Sequence, residues 1–235
     1  MRDLFGFCDE PDFPPRYNIA PSQPVPIVIR DGGQRRFMLV RWGLVPSWAK
    51  EMPQSLLINA RAETIAEKPS FRGAFRHRRA LMPADGFYEW KAGGRENGKT
   101  GPKQPYFIRR RDGAPFAMAA LWENWMDAHG SELDTCAIVT TEANETLAPF
   151  HHRMPVILDE KDWALWLDPA ATEKELRALL RPAPDDLLEA IPVSIRINSA
   201  ANDDPSLIER AAPVSTSPGK PRQKKQADKR QMGLF

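Results

Sequence analysis

Glu89 stands in the run Gly86-Phe87-Tyr88-Glu89-Trp90, a carboxyl flanked by aromatic rings. Such surroundings keep water from the charged form, raise its pKa toward neutrality and suit it to proton transfer. The plainer alternative is a surface glutamate at a strand end. A second proton carrier lies in Phe150-His151-His152-Arg153, since histidine changes charge near neutral pH. Successive residues of extended chain face opposite ways, so only one of His151 and His152 can enter a given pocket. The pair has no HxxxH spacing and no cysteine cluster beside it, so no metal is expected. Asn59, in Leu57-Ile58-Asn59-Ala60-Arg61, reads as a buried amide that must satisfy both its oxygen and its nitrogen. It either positions a ligand or braces a turn.

Arg61 follows Asn59 by two residues and faces the same side of an extended strand. Arg61 and Arg153 are candidates for phosphate contact, because a guanidinium fork matches phosphate oxygens. Ordinary surface ion pairs are the alternative. Trp48 follows Pro46-Ser47 in a loop and offers a platform on which a base can stack, as does Trp90. Trp42 sits on a strand and reads as core. Pro21 either shapes a pocket rim or closes a strand.

Four segments carry these residues in order: Pro14–Gln23 (PPRYNIAPSQ), Leu57–Thr64 (LINARAET), Met82–Trp90 (MPADGFYEW) and Phe150–Leu158 (FHHRMPVIL). Together they resemble the SOS-response-associated peptidase (SRAP) family, whose members capture abasic sites in single-stranded DNA. Weaker matches are FAMAALWE from Phe116, IVTTEAN from Ile138, and Pro192-Val193-Ser194 followed by Asn198-Ser199, so the likeness spans about Phe5 to Arg210. The resemblance implies that Glu89 is the general acid/base, that Asn59 hydrogen-bonds the reacting sugar or the catalytic cysteine, and that the histidine is the first of its pair, His151. With Arg61, Arg153, Trp48, Trp90 and Pro21 as read above, the expected DNA-binding set is these five, with Thr140 or Thr141 a neighbour without an assigned role. No cofactor is implied.

The family attacks the open-chain aldehyde of the abasic sugar with a cysteine directly after the initiator methionine. Its α-amine forms a Schiff base, and the thiol on the same residue closes a thiazolidine, an intramolecular step of high effective molarity. Here Arg2 follows Met1, and the two cysteines, Cys8 and Cys136, are internal. Leu4, Phe5 and Phe7 read as the end of a helix whose beginning is absent. Hence the expectation is a natural start upstream, with cysteine as its second residue. The peptidase label then corresponds to removal of the protein's own methionine. The rival expectation is a non-catalytic single-stranded DNA binder.

The elements that position these groups read as short strands: Val25–Arg30, Arg35–Trp42, Arg79–Met82, Pro105–Arg110, Pro115–Trp122 and Thr135–Thr141. Asp31-Gly32-Gly33 and Arg111-Asp112-Gly113 read as hairpin turns, and Lys91 to Lys103 as a mobile loop. A helix capped by Asp159 runs to about Leu167, and Ala171–Leu180 forms a second. The fold class expected is α+β, a mostly antiparallel, barrel-like sheet with a few peripheral helices.

A domain over residues 1–211 suits a chain of 235 residues that is 42% hydrophobic. Residues 212–235 carry a net charge of +5, which leaves −3 for the remainder. A nucleic-acid site on the domain is then a local patch. The tail composition predicts disorder. Its ending, Gln231-Met232-Gly233-Leu234-Phe235, resembles the peptide by which bacterial repair proteins engage the sliding clamp, with Gln231, Met232, Leu234 and Phe235 as contacts. No apolar run is long enough to span a membrane and no signal pattern opens the chain. With only two cysteines, these features predict a cytoplasmic, nucleoid-associated monomer.

Overall fold

The computed structural model describes residues 1–9, 12–93, 95–96 and 99–213. The tail from 214 onward, with its expected disorder and clamp peptide, lies outside the described residues. The short helix α1 (Arg2–Phe5) ends at Gly6, which takes the left-handed conformation at φ 67°. Strands β1 (Pro24–Asp31) and β2 (Gln34–Trp42) pair across Gly32-Gly33 as an antiparallel hairpin. Then come β3 (Asn59–Arg61), α2 (Pro69–His77), β4 (Arg79–Ala84) and β5 (Phe87–Lys91). The middle of the chain holds β6 (Arg95–Glu96), β7 (Lys99–Thr100), β8 (Gln104–Arg110), β9 (Phe116–Met126) and β10 (Glu132–Glu142). The last part holds β11 (Arg153–Pro155), β12 (Ile157–Leu158), α3 (Trp163–Trp166), α4 (Glu173–Leu179) and β13 (Leu188–Pro192).

Five strands close on themselves in the order β10-β2-β1-β4-β9, because β10 also pairs with β9. The fold is thus α+β around a barrel, as the residue pattern predicts. Most pairs are antiparallel, but β10 runs parallel to both β2 and β3. Closure leaves no free edge among these five strands. A second sheet, β13-β8-β5, stands beside the barrel and carries Glu89.

Strands β4, β9 and β10 are buried on both faces, with period-2 alternation between two cores. On β9, Ala117, Ala119 and Leu121 face the core shared with α1, α2 and α3 (Phe5, Phe75, Trp163, Trp166), and Phe116, Met118 and Ala120 face the other. Arg79, at the start of β4, is buried. Its guanidinium donates to the carbonyls of Phe75, Arg76, Trp166 and Asp168 at 2.5–2.7 Å, tying the C-terminal ends of α2 and α3 to the barrel.

Four local expectations are corrected. Arg111-Asp112-Gly113 turns the chain but joins no hairpin, because β8 belongs to the second sheet and β9 to the barrel. Asp112 folds the turn by accepting from the Ala114 N–H at 3.0 Å. The segment read as a loop contains the paired strands β6 and β7. The helix capped by Asp159 is a 3-10 turn over Glu160–Asp162 followed by α3. The next begins at Glu173, because Thr172 forms a reciprocal capping box with Glu175.

Candidate active site

One cleft of about 920 Å³ opens where the barrel meets the second sheet. Its apolar floor is made of Val25, Met82, Met118 and Ile138, the ends of the second core. Asn59, Glu89, His151, Arg153, Trp90 and Pro21 all line it. These residues come from β3, β5, β11 and the loops before β1 and β11.

Glu89 reaches the cleft because Gly86 lets β5 lie tight against β8. A Cβ at Gly86 would meet the Phe107 ring at 2.4 Å and the Ile108 carbonyl at 2.5 Å. Glu89 then pairs with Tyr106 across the sheet. Burial raises its pKa above the usual carboxylate range, partly opposed by the charge of His151 and a backbone N–H at Trp90. That interaction sets Glu89 and His151 near each other. His151 lines the cleft and His152 does not. The Arg153 backbone N–H donates to His151 Nδ1 at 3.1 Å, which fixes the ring on the chain.

Asn59 is a correction: it is exposed, not buried. Only Ala60 of β3 faces the core, so Asn59 and Arg61 both look outward. Among the described residues, no group hydrogen-bonds the Asn59 side chain, which leaves its amide open to a ligand in the cleft. Trp42 is a second correction. It is half-buried, lines the cleft and donates from Nε1 to the Ile58 carbonyl at 3.0 Å.

Arg61 and Trp48 lie off the cleft walls. Trp48 is 65% exposed, and Arg61 has no ion-pair partner within bonding distance among the described residues. Arg153 is engaged: its guanidinium makes a fork to Glu63 at 2.8 and 2.9 Å, and Nη2 also donates to the Thr140 carbonyl at 2.6 Å. This pair holds the Glu63 carboxyl below its ordinary pKa.

Sequence reasoning missed Glu63, Asn18, Asp203 and Asn198. Asp203 accepts from the guanidinium of Arg16 and from the backbone N–H groups of Tyr17 (2.6 Å) and Asn18 (3.1 Å). Asn18 in turn donates to the carbonyls of Ser199 and Asn202, both at 3.0 Å. Trp90 is steadied by donating from Nε1 to Asn198 at 2.8 Å, and the Tyr88 hydroxyl donates to the Tyr17 carbonyl at 2.6 Å. One rim is thereby stitched from segments far apart in the chain. The segments Pro14–Gln23 and Asn198-Ser199 hold part of this rim, but nothing in the sequence marks Asp203. Cys136 is buried, which pushes its thiol pKa up, and Cys8 is exposed but does not line the cleft.

A barrel with a side sheet and an Asn-Glu-His cleft between them defines a class that comparison identifies. Residues 2–200 match the family described as SOS response associated peptidase (SRAP). The abasic site processing protein YoqW of Bacillus subtilis is 44% identical over 205 residues, covering 86% of this chain and 89% of that protein. YedK of Escherichia coli, of the same description, is 33% identical over 196 residues, covering 83% and 84%. A solved structure from Bacteroides thetaiotaomicron superposes with a TM-score of 0.72 at 30% identity, covering 81% of this chain and 82% of that one. The chain belongs to the SRAP family. Among its described residues no helix is long and apolar enough to cross a membrane.

Proposed function

We propose that the cleft receives the open-chain sugar aldehyde of an abasic site in single-stranded DNA. The observation that carries this reading is the convergence of Asn59, Glu89 and His151 on one cleft, in a family whose relatives are named abasic site processing proteins. Asn59 offers donor and acceptor to the sugar. Glu89 moves protons, and His151 shuttles or orients. In a form carrying an amino-terminal cysteine, its amine condenses with the aldehyde to an imine, releasing water. The thiol sulfur then adds to the imine carbon, and its proton ends on the ring nitrogen. Glu89 is placed to hand protons through both steps. Neither Cys8 nor Cys136 can substitute, since neither has a free α-amine and neither lines the cleft. Trp48 and Arg61, outside the cleft, suit the flanking strand through stacking and phosphate contact. They would serve equally in the rival reading, a non-catalytic binder.

The test uses oligonucleotides with and without one abasic site. A form with an amino-terminal cysteine should give a denaturation-resistant adduct only with the abasic strand, and residues 1–235 should bind that strand without the adduct. Equal behaviour toward both strands would refute the reading. Arg61→Ala should weaken binding across all sequences and reduce the slope of log affinity against log salt by about 0.7 for a single strand. An unchanged slope, measured by fluorescence anisotropy from low to high salt, would remove Arg61 from the interface.

The protein is further proposed to work in the cytoplasm at the nucleoid as a monomer, brought to replication forks by Gln231, Met232, Leu234 and Phe235. Two apolar side chains ending a polar tail call for a partner that buries them. Deleting Gln231 to Phe235 is expected to abolish retention on an immobilised bacterial sliding clamp; retention equal to that of the intact chain would end this part of the proposal.

A further inference from the structure

Glu63 stands outside the cleft yet is linked to it through a single residue. Its carboxylate holds both Nη atoms of Arg153, 90 positions away in sequence, and the same guanidinium is held from the other side by the Thr140 carbonyl. Arg153 in turn touches His151 through its backbone. Its N–H donates to Nδ1 at 3.1 Å, and its own carbonyl oxygen is also 3.1 Å from Nδ1. These two groups ask opposite things of the ring. The N–H needs a lone pair on Nδ1, which puts the proton of the neutral imidazole on Nε2. The carbonyl needs a proton on Nδ1. A small rotation of residue 153 exchanges one for the other, so the backbone position at Arg153 selects the tautomer. Among the described residues, Nε2 has no partner, and His151 lines the cleft.

We propose that Glu63 is a positioning residue: by clamping Arg153 it keeps His151 in the form protonated on Nε2, with that N–H free for the substrate. This rests on the reading that His151 takes part in proton transfer. Glu63 is about half exposed while Arg153 is mostly buried, so the substitution that keeps an acceptor for the guanidinium, Glu63→Gln, is the one that disturbs the fold least. Weakening the clamp in this way should alter the ring.

The test is the nitrogen-15 spectrum of the histidine rings, recorded on the full chain at a pH where the imidazoles are neutral. Wild type should show His151 protonated on Nε2. Glu63→Ala should move it toward the Nδ1 form, and Glu63→Gln, which keeps one acceptor for Arg153, should move it less. His77 and His129 serve as internal controls. In a form with an amino-terminal cysteine, Glu63→Gln should slow adduct formation roughly tenfold at saturating DNA. Ring signals of His151 identical to wild type in the Gln variant, and in the Ala variant where that folds, would overturn the proposal. The outcomes separate cleanly. A wild type that ignores abasic DNA sinks the proposed function and leaves the tautomer result standing. Normal capture with an unmoved ring sinks only the role of Glu63.

Discussion

Glu89→Gln is expected to slow adduct formation by about 10²- to 10⁴-fold, the usual contribution of a positioned acid or base. Affinity for abasic DNA should stay within about twofold. Glutamine keeps the shape and the hydrogen-bonding oxygen but cannot release or accept the proton. The close fit at Gly86 argues that β5 will not shift to compensate. Stability gives an independent reading. Burial raises the pKa of Glu89, so the folded state holds its proton more tightly than the unfolded chain. That contribution is fully present below the ordinary carboxylate pKa and is lost as pH rises through the raised value. Glu89→Gln should accordingly melt higher than wild type at pH 7 and equally at pH 4. Calorimetry at the two pH values checks this, and a variant no more stable at pH 7 would show that the carboxyl is not desolvated in the cleft.

The largest loss of stability is expected from Arg79→Met. The substitution fills much of the same volume but strands the carbonyls of Phe75, Arg76, Trp166 and Asp168, all now met by one guanidinium. Each buried acceptor left unmet costs about 1–3 kcal/mol, with some recovered by relaxation and water. The total should be about 3–5 kcal/mol, or roughly 10 °C in Tm for a domain of this size. Urea denaturation followed by tryptophan fluorescence measures it. Burial lowers the pKa of Arg79, opposed by Asp168, but arginine remains charged. A loss below about 1 kcal/mol would mean that other groups or water cap the two helices.

The longer strands of the barrel and the second sheet are legible wherever apolar β-branched and aromatic side chains run between turns. β1, β2, β4, β8, β9 and β10 all match within a few residues. β3, β11 and β12 are two or three residues long and carry no period. β5 carries bulky side chains on both faces, half-buried from Phe87 to Trp90, and so shows no period-2 alternation. Helix α2 was missed for a physical reason. Its N-cap, Lys68, makes no side-chain capping bond, and Gly73 interrupts a face with only Phe71, Ala74 and Phe75 buried. Barrel closure rests on parallel pairing of β10 with β2, a long-range contact without a local signature.

The site was legible in its chemistry and less so in its supports. Asn59, Glu89 and His151 were named from residue type and motif. The exposure of Asn59 was not foreseen, because an asparagine amid apolar neighbours looks the same whether it faces a core or a cleft. His151 and not His152 lines the cleft, and the Arg153 N–H that holds its ring is a backbone contact that composition does not encode. Glu63 and Asp203 meet their partners 90 and more positions away, so neither could be paired by reading along the chain.

The central claim is that this cleft, and no other surface, takes up the abasic sugar. Titrating the labelled protein with a short single strand bearing one abasic site, and with the intact strand, tests it by side-chain NMR. The Asn59 amide and the His151 ring should move with the abasic strand alone, while Trp48 moves with both. An Asn59 amide unmoved by the abasic strand at saturation would contradict it.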